Sequence, residues 1–366
     1  VLYRLLYQLV LRWLPPVAIH ELAAKGLAFV LRAPGARRLV RAWAYPGLRG
    51  LSVTVLGQRF PSPLGAAAGM DKEASWFDAL GAIGFGAVEV GTVTPLPQAP
   101  NPGPTIARIT AEGGLLNRMG FPNPGAATIA ATLMHRSGET LVGVNIGKQR
   151  TTEISRAVED YRSLAHTLAP LADYLVVNIS SPNTAGLREL GEVGALEPLL
   201  SAVQAEIADT APGTPLLLKV SPDADDAQLD AIADLALALE LDGLIATNTT
   251  VDRGVLRQAP PWSVRRLDGG GISGRPLKAR SLAVLRRLYE RTEGRLTLIS
   301  VGGVESVDDV WERLAHGASL VQAYTGFVYG GPAWPAGINH ALVRRLRAVG
   351  YSSIQELIGA ATSGGN

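Results

Sequence analysis

Between Tyr174 and Leu190 the chain reads YLVVNISSPNTAGLREL, an apolar run that breaks into Asn178, Ser180, Ser181, Pro182, Asn183, Thr184 and Gly186. The run has the character of a buried strand in a sheet covered on both faces, and it delivers a polar loop on a rigid base. Taken alone, a Ser-Pro-Asn tripeptide reads first as an ordinary turn, because these are default turn residues. Other amides sit in comparable places: Asn145 in VGVNIG, Asn248 in GLIATNTT and Asn117 at the head of NRMGF. An amide both donates and accepts, which suits recognition of a flat ring whose edge alternates N–H and C=O groups. Lys219 emerges from LLLKV, where a lysine rarely sits without a partner. It either reaches out or pairs with a carboxylate, or it supplies a cation to a site. The glycine-rich turns Gly269 to Gly274, with Ser273, and Gly302 to Gly303 present backbone N–H groups of the kind that bind phosphate, although each is a weak signal by itself.

Residues of this kind need elements to aim them. Strand patterns fall at Leu64 to Ala68, Ala87 to Val90, Leu141 to Asn145, Tyr174 to Ile179, Leu216 to Val220, Gly243 to Ala246, Leu296 to Val301 and Ser319 to Ala323. Helical patterns lie between them, among them Glu153 to Leu168, Ala195 to Asp209, Asp226 to Leu239, Leu277 to Glu290 and Val307 to Ala315. Eight strand-then-helix units predict a (β/α)8 TIM barrel, whose chemistry sits at the carboxyl ends of the strands. Lys72, Thr92, Asn145, Asn178, Lys219, Thr247, Gly302 and Tyr324 all fall near such ends. A doubly wound sheet is the alternative, disfavoured because no GxGxxG follows the first strand and polar loops follow nearly every strand. The stretch SVTVLGQRF, ahead of the first unit, reads as a small hairpin.

The sequence contains no cysteine, which excludes disulfides, thiolate metal sites and cysteine-held iron–sulfur clusters within the chain. None of the five histidines lies three or four residues from another, and no metal site is expected. Net charge is +2, divided as +7 over residues 1–50 and −5 over the remainder. That basic segment is also apolar, which favours an anionic membrane surface over nucleic acid. LYRLLYQLVLRWL places Arg4, Gln8 and Arg12 on one helical stripe, Pro15 and Pro16 stop it, and a second helix runs from Val17 to about Leu31. Neither helix has the ~20 apolar residues of a membrane span, so an amphipathic hairpin lying in the bilayer interface is expected. It caps the main domain as an alternative, or does both with one face on each. The domains expected are a helical segment at 1–50, the barrel at 51–350 and a tail at 351–366, the last fraying.

NISSPNTAGLREL, together with AAAGMDK, GTVTPLPQ, NRMGF, GVNIGK, ATNTT, GGISGRPL and SVGGVES, closely resembles the dihydroorotate dehydrogenases of the quinone-dependent class. The likeness extends from about Leu51 to Tyr329 and includes the apolar N-terminal extension. It implies an FMN-dependent oxidation of (S)-dihydroorotate to orotate in pyrimidine synthesis, with a membrane quinone as electron acceptor. Ser181 is then the base that removes a proton, a poor base without help. FMN is implied at Ala68, Gly69, Met70, Asp71, Lys72, Thr92, Asn145, Asn178, Lys219, Thr247, Gly274, Gly303, Tyr324 and Thr325. Lys219 would stand at the flavin N1/O2 edge, and the glycine turns, Tyr324 and Thr325 at its phosphate. Dihydroorotate is implied at Lys72, Asn117, Arg118, Met119, Gly120, Phe121, Asn178, Asn183, Asn248 and Thr249. The other dihydroorotate dehydrogenase class uses a cysteine base, which this chain lacks. His20, Arg108 and Tyr324 are candidates for the mouth or end of a quinone tunnel.

Two other readings compete: an FMN barrel acting on a pyrimidine-like ring with NAD(P)H, and a catalytically silent barrel serving as a membrane-bound interaction module. No nicotinamide-binding domain is visible. The Ala- and Arg-rich composition and the absence of an evident presequence favour a peripheral protein on the cytoplasmic face of a bacterial inner membrane, a monomer that binds no nucleic acid.

Overall fold

The computed structural model describes residues 2–31, 33, 35–136, 138–184, 187–258, 264 and 269–362. Within the polar loop singled out above, Ala185 and Gly186 lie outside the described residues.

Thirteen strands are described. A short antiparallel hairpin, β1 (Val53–Val55) and β2 (Gln58–Phe60), leads into β3 (Leu64–Asp71). Phe60 is fully buried and its ring lies 6.5 Å from that of Tyr174, at the start of a barrel strand, so the hairpin closes the amino-terminal mouth. The barrel comprises β3, β4 (Ala87–Val93), β7 (Leu141–Ile146), β8 (Tyr174–Asn178), β9 (Leu216–Val220), β10 (Gly243–Ala246), β12 (Thr297–Val301) and β13 (Leu320–Ala323). All eight pair in parallel and the ring closes, β13 on β3 and β9 on β10. This is the expected TIM barrel, and every strand predicted from the sequence is present with its end displaced by at most three residues. The strands read as near-continuous apolar runs because both faces are covered, by helices outside and packed side chains inside.

Two excursions depart from the simple repeat. After β4 the chain makes β5 (Ile106–Ile109) and β6 (Gly114–Asn117), and before β12 it makes β11 (Gly271–Gly274). These form an antiparallel sheet in the order β11-β6-β5, with Asn117 opposite both Ile106 and Gly271. The glycine-rich segment expected to be a turn is therefore two residues of turn, Gly269 and Gly270 at positive φ, followed by four of strand. Its backbone groups find a ladder partner 154 residues away in the chain, a pairing that local sequence cannot reveal.

The first two N-terminal helices lie against the carboxyl end of the barrel, and a third docks nearer its amino end, ahead of β4. Helix α1 spans Leu2–Leu9 and α2 spans Pro16–Val30, with a third, α3 (Ala36–Ala44), that sequence reading missed. The first predicted helix is shorter than expected. It breaks at Val10 into a 3-10 turn that ends at Leu14, which precedes Pro15 and takes extended geometry. Carbonyls freed by the break are satisfied from the barrel, where Arg108 Nη1 donates to Arg12 O (3.3 Å) and Leu14 O (2.9 Å). Tyr3 donates to Val328 O, His20 packs edge-on to Trp76, and Tyr45 donates to the carbonyls of Gly81 and Phe85. The tail does not fray over the described residues: Ile354 and Leu357 are buried, and Ala361 N–H donates to Ala315 O.

Candidate active site

At the floor of the barrel a polar column replaces the apolar filling. Glu89, on β4, is fully buried, and three donors from three strands converge on it: Asn145 Nδ2 at 2.7 Å, Gln322 Nε2 at 2.7 Å and Lys219 Nζ at 3.2 Å. A carboxylate can accept from all three at once. Lys219 therefore has the carboxylate partner that the residue pattern allowed, and it also lines the cavity above. Sequence reading missed both Glu89 and Gln322. A single acid within the strand AVEVGTV was the available signal, since a charge facing a barrel interior demands partners.

Above Glu89 the amides form a chain. Thr92 Oγ1 donates to Asn145 Oδ1 (2.5 Å), and Asn178 Nδ2 donates to Thr92 Oγ1 (3.0 Å) and Asn145 Oδ1 (3.1 Å). Asn248 Nδ2 in turn donates to Asn178 Oδ1 (3.2 Å) and Ser180 Oγ (3.0 Å). Across the loops Asn183 Nδ2 donates to Asn117 Oδ1 (2.9 Å), and Asn183 Oδ1 is buried without a hydrogen bond among the described residues. Ser181 is buried, and its Oγ accepts from Asn183 N–H at 3.2 Å.

These groups wall a cavity of about 1080 Å³, counted to its open mouth, at the carboxyl ends of the strands. The cavity brings together Ala68, Gly69, Lys72, Thr92, Asn117, Met119, Gly120, Phe121, Asn178, Ser181, Asn183, Lys219, Thr247, Asn248, Thr249, Gly274, Gly303, Tyr324 and Thr325. It does not include Met70, Asp71, Asn145, Arg118 or Arg108. Asn145 is fully buried behind Thr92 and Asn178. Asp71 turns its carboxylate onto the N–H groups of Ser75 and Trp76. Arg118 is tied through its backbone to Thr105 and Asn101.

A second cavity opens between α2 and the barrel, lined by Val17, His20, Ala24, Phe29, Met70, Asp71 and Trp76 among others, and it shares Lys72, Ile106, Met119, Pro122 and Tyr324 with the first. Two chambers thus meet at a common wall. Burial lowers Lys72 to about 8, against the pull of Asp71 and Glu73, while its Nζ donates to Gly69 O at 2.6 Å. Burial, and then the charge of Lys72, lower His20 to about 4, with a hydrogen bond to the Met70 backbone acting in the opposite sense. His20 is therefore neutral at physiological pH. Burial raises Tyr324 to about 12 and keeps its hydroxyl a donor.

At the far end of the first cavity, Gly274 (φ +88°) and Gly303 (φ +72°) allow a backbone approach that no side chain permits. A Cβ on Gly303 would lie 2.4 Å from Lys278 Cα, and one on Gly274 would lie 2.4 Å from Gly113 O. Ser273 and Thr325 share a 2.9 Å hydrogen bond there. Glycine backbone and hydroxyls form a cradle suited to phosphate, so the residues present fit the phosphate end of a flavin nucleotide. No cluster of metal-ligating side chains occurs among the described residues.

Fold and site together define a barrel enzyme with an amide-lined pocket and an annexed apolar chamber. The family described as dihydroorotate dehydrogenase matches residues 50–346, and the chain belongs to that family, whose members are flavoenzymes. A Mycobacterium tuberculosis protein named dihydroorotate dehydrogenase (quinone) is 50% identical over 97% of this chain and 98% of its own length. The protein of that name from Mycobacterium ulcerans is 49% identical over 95% and 94%. A crystal structure of the Eimeria tenella enzyme in complex with ferulenol superposes with a TM-score of 0.85 at 34% identity, covering 99% of each chain.

Proposed function

We propose that this chain oxidises dihydroorotate to orotate and passes the electrons to a membrane quinone, a step of pyrimidine synthesis, with FMN as its flavin. The carrying observation is the convergence of Asn117, Asn178, Asn183, Asn248 and Ser181 on one cavity from three separate strand ends, those of β6, β8 and β10. Amides in that array pair the N–H and C=O edges of the ring, and the orphaned Asn183 Oδ1 is an acceptor awaiting a ring N–H. A ring lacking those edges leaves buried amides unpaired and is rejected. Lys72 lies at the wall shared by both chambers and meets the substrate carboxylate.

Ser181 Oγ takes the proton from C5. The Asn183 N–H that it accepts stabilises negative charge on that oxygen, a partial answer to how a serine acts as base. A bound flavin supplies the two-electron acceptor for the hydride from C6. Lys219, held in place by Glu89 beneath it, would stabilise the charge that builds at the N1/O2 edge of a bound flavin. Thr92, Thr247 and the backbone of Ala68 and Gly69 would hold the flavin, and Gly274, Gly303 and Thr325 its phosphate. The second chamber, with His20 and Tyr324 on its walls, is the quinone's entry. Arg108 supports that entry by clamping the turn between α1 and α2. Residues 1–50 are the membrane-facing segment, 51–350 the catalytic barrel and 351–366 the tail. The protein works as a monomer at an anionic membrane surface, on the cytoplasmic side of a bacterial inner membrane.

The test is anaerobic mixing of the flavin-loaded protein with dihydroorotate, then with a soluble quinone. Bleaching of the flavin followed by recovery supports both half-reactions. Bleaching by NAD(P)H instead, or none by dihydroorotate, overturns the reading.

A further inference from the structure

Helix Val307–Ala315, on the outside of the barrel, sends one arginine inward. Arg313 is 1% exposed, and no carboxylate among the described residues lies within ion-pair distance of its guanidinium. A cation so buried ordinarily has a counter-charge. Asp309, the nearest candidate on its own helix, is engaged elsewhere, pairing with Lys278 and capping the N–H groups of Glu305 and Ser306. All of Arg313's hydrogen bonds go to neutral oxygens. Nη1 donates to Ser300 Oγ at 2.6 Å, and Nη2 donates to Ser281 Oγ at 2.9 Å and to the Gly302 carbonyl.

The Gly302 carbonyl receives a second donor, Ser281 Oγ at 2.9 Å, so it is pinned away from the cavity. Peptide planarity sets the consequence. The Gly302 C=O and the Gly303 N–H belong to one trans unit and point in opposite directions. Holding the carbonyl toward Arg313 turns the Gly303 N–H the other way, and it has no hydrogen-bond acceptor among the described residues. Gly303 itself lines the cavity.

We infer that Arg313 is the positioning residue of the phosphate cradle: with Ser281 it locks the Gly302–Gly303 peptide so that its N–H meets the flavin's phosphate, and its unpaired charge answers that of the phosphate. The inference rests on the FMN reading above. The cofactor brings an anion toward a cation that has no direct ion pair among the described residues, and an oriented N–H costs no reorganisation when the anion binds. Burial lowers the guanidinium to about 10, against the pull of the Asp309 and Glu312 carboxylates, and it is still charged at neutral pH.

The test compares FMN with riboflavin, which lacks the phosphate. The full chain is freed of flavin and titrated with each, as wild type, Arg313→Met, Arg313→Lys and Ser281→Ala. Arg313→Met is expected to bind FMN at least tenfold more weakly while its riboflavin affinity stays within twofold of wild type. Lysine keeps the charge and loses the fork, so it falls between. Ser281→Ala, which leaves the arginine in place, loses FMN affinity a few-fold and riboflavin affinity not at all. Should Arg313→Met fail to fold, the Ser281→Ala ratio decides. Equal losses for both flavins, or an unchanged FMN affinity, overturn the inference. A wild-type protein that binds FMN no better than riboflavin overturns the FMN reading itself.

Discussion

Lys72 stands at the wall between the two chambers, and its charge depends on what occupies them. Its folded value of about 8 lies below the ~10.4 of an unfolded lysine. The unfolded chain therefore binds more protons between those values, so burial of Lys72 destabilises the ligand-free fold most below pH 8, and the penalty fades as pH rises toward 10.4. A bound carboxylate reverses the sign by favouring the ammonium. Orotate affinity is accordingly expected to be flat from pH 6 to about 8 and to weaken above it, toward tenfold per pH unit. Titrating flavin absorbance with orotate across that range checks this, and Lys72→Met should bind weakly with little of that slope. At Ser181 the expectation is kinetic. Ser181→Ala should slow reduction of the flavin by dihydroorotate by about 10²–10⁴-fold, the usual weight of a positioned acid–base group, while orotate affinity changes little. Stopped-flow reduction beside equilibrium orotate binding separates the two, and an unchanged reduction rate would remove Ser181 from the chemistry.

The eight barrel strands are legible because each is an apolar run bounded by turn residues, and their polar ends mark the site for the same reason: Asn178 and Asn248 interrupt sequences that are otherwise core. What sequence could not show depends on contacts across the chain. The β5-β6-β11 sheet needs Gly271 to find Asn117, and Arg313 looks like any basic residue on an amphipathic helix until its burial is seen. The stop at Leu14 is a local pre-proline effect, yet the satisfaction of its carbonyl by Arg108 is a tertiary contact. Helix α2 offers a direct test of the annexed chamber. Ala24 lines that chamber and is not among the residues that line the first cavity. Ala24→Trp should leave reduction by dihydroorotate unchanged and slow reoxidation by quinone at least tenfold, as read in the two half-reactions separately. Equal rates with and without the added indole would move the quinone's path elsewhere. The tail makes a simpler claim. Ile354 is fully buried, so Ile354→Ala should cost about 2–5 kcal/mol in denaturant unfolding; a fraying tail would lose nothing.

Over the whole molecule the N-terminal segment faces two ways. One face is docked on the barrel through Tyr3, His20 and Tyr45, while Trp13 (72% exposed), Leu22 (72%) and Phe29 (74%) present apolar side chains to the outside. No helix among the described residues is long and apolar enough to cross a membrane. Sequence charge adds +7 over the same 50 residues, but Arg37 and Arg41 are already paired with Asp78 and Glu139. The magnitudes rank the two contributions. A buried large apolar side chain is worth about 1.5–3 kcal/mol, whereas a basic residue near an anionic surface is worth about 1 kcal/mol and is screened by salt. Apolar insertion should therefore hold the protein at the bilayer and charge should choose the lipid. The full chain is expected to float with anionic vesicles more than with neutral ones and to stay partly bound at 1 M salt. Replacing Trp13 and Phe29 together with serine should release it at either salt concentration without changing reduction by dihydroorotate. If the double variant floats as well as the parent, the exposed apolar face is not the anchor, and the docked hairpin serves only to wall the second chamber.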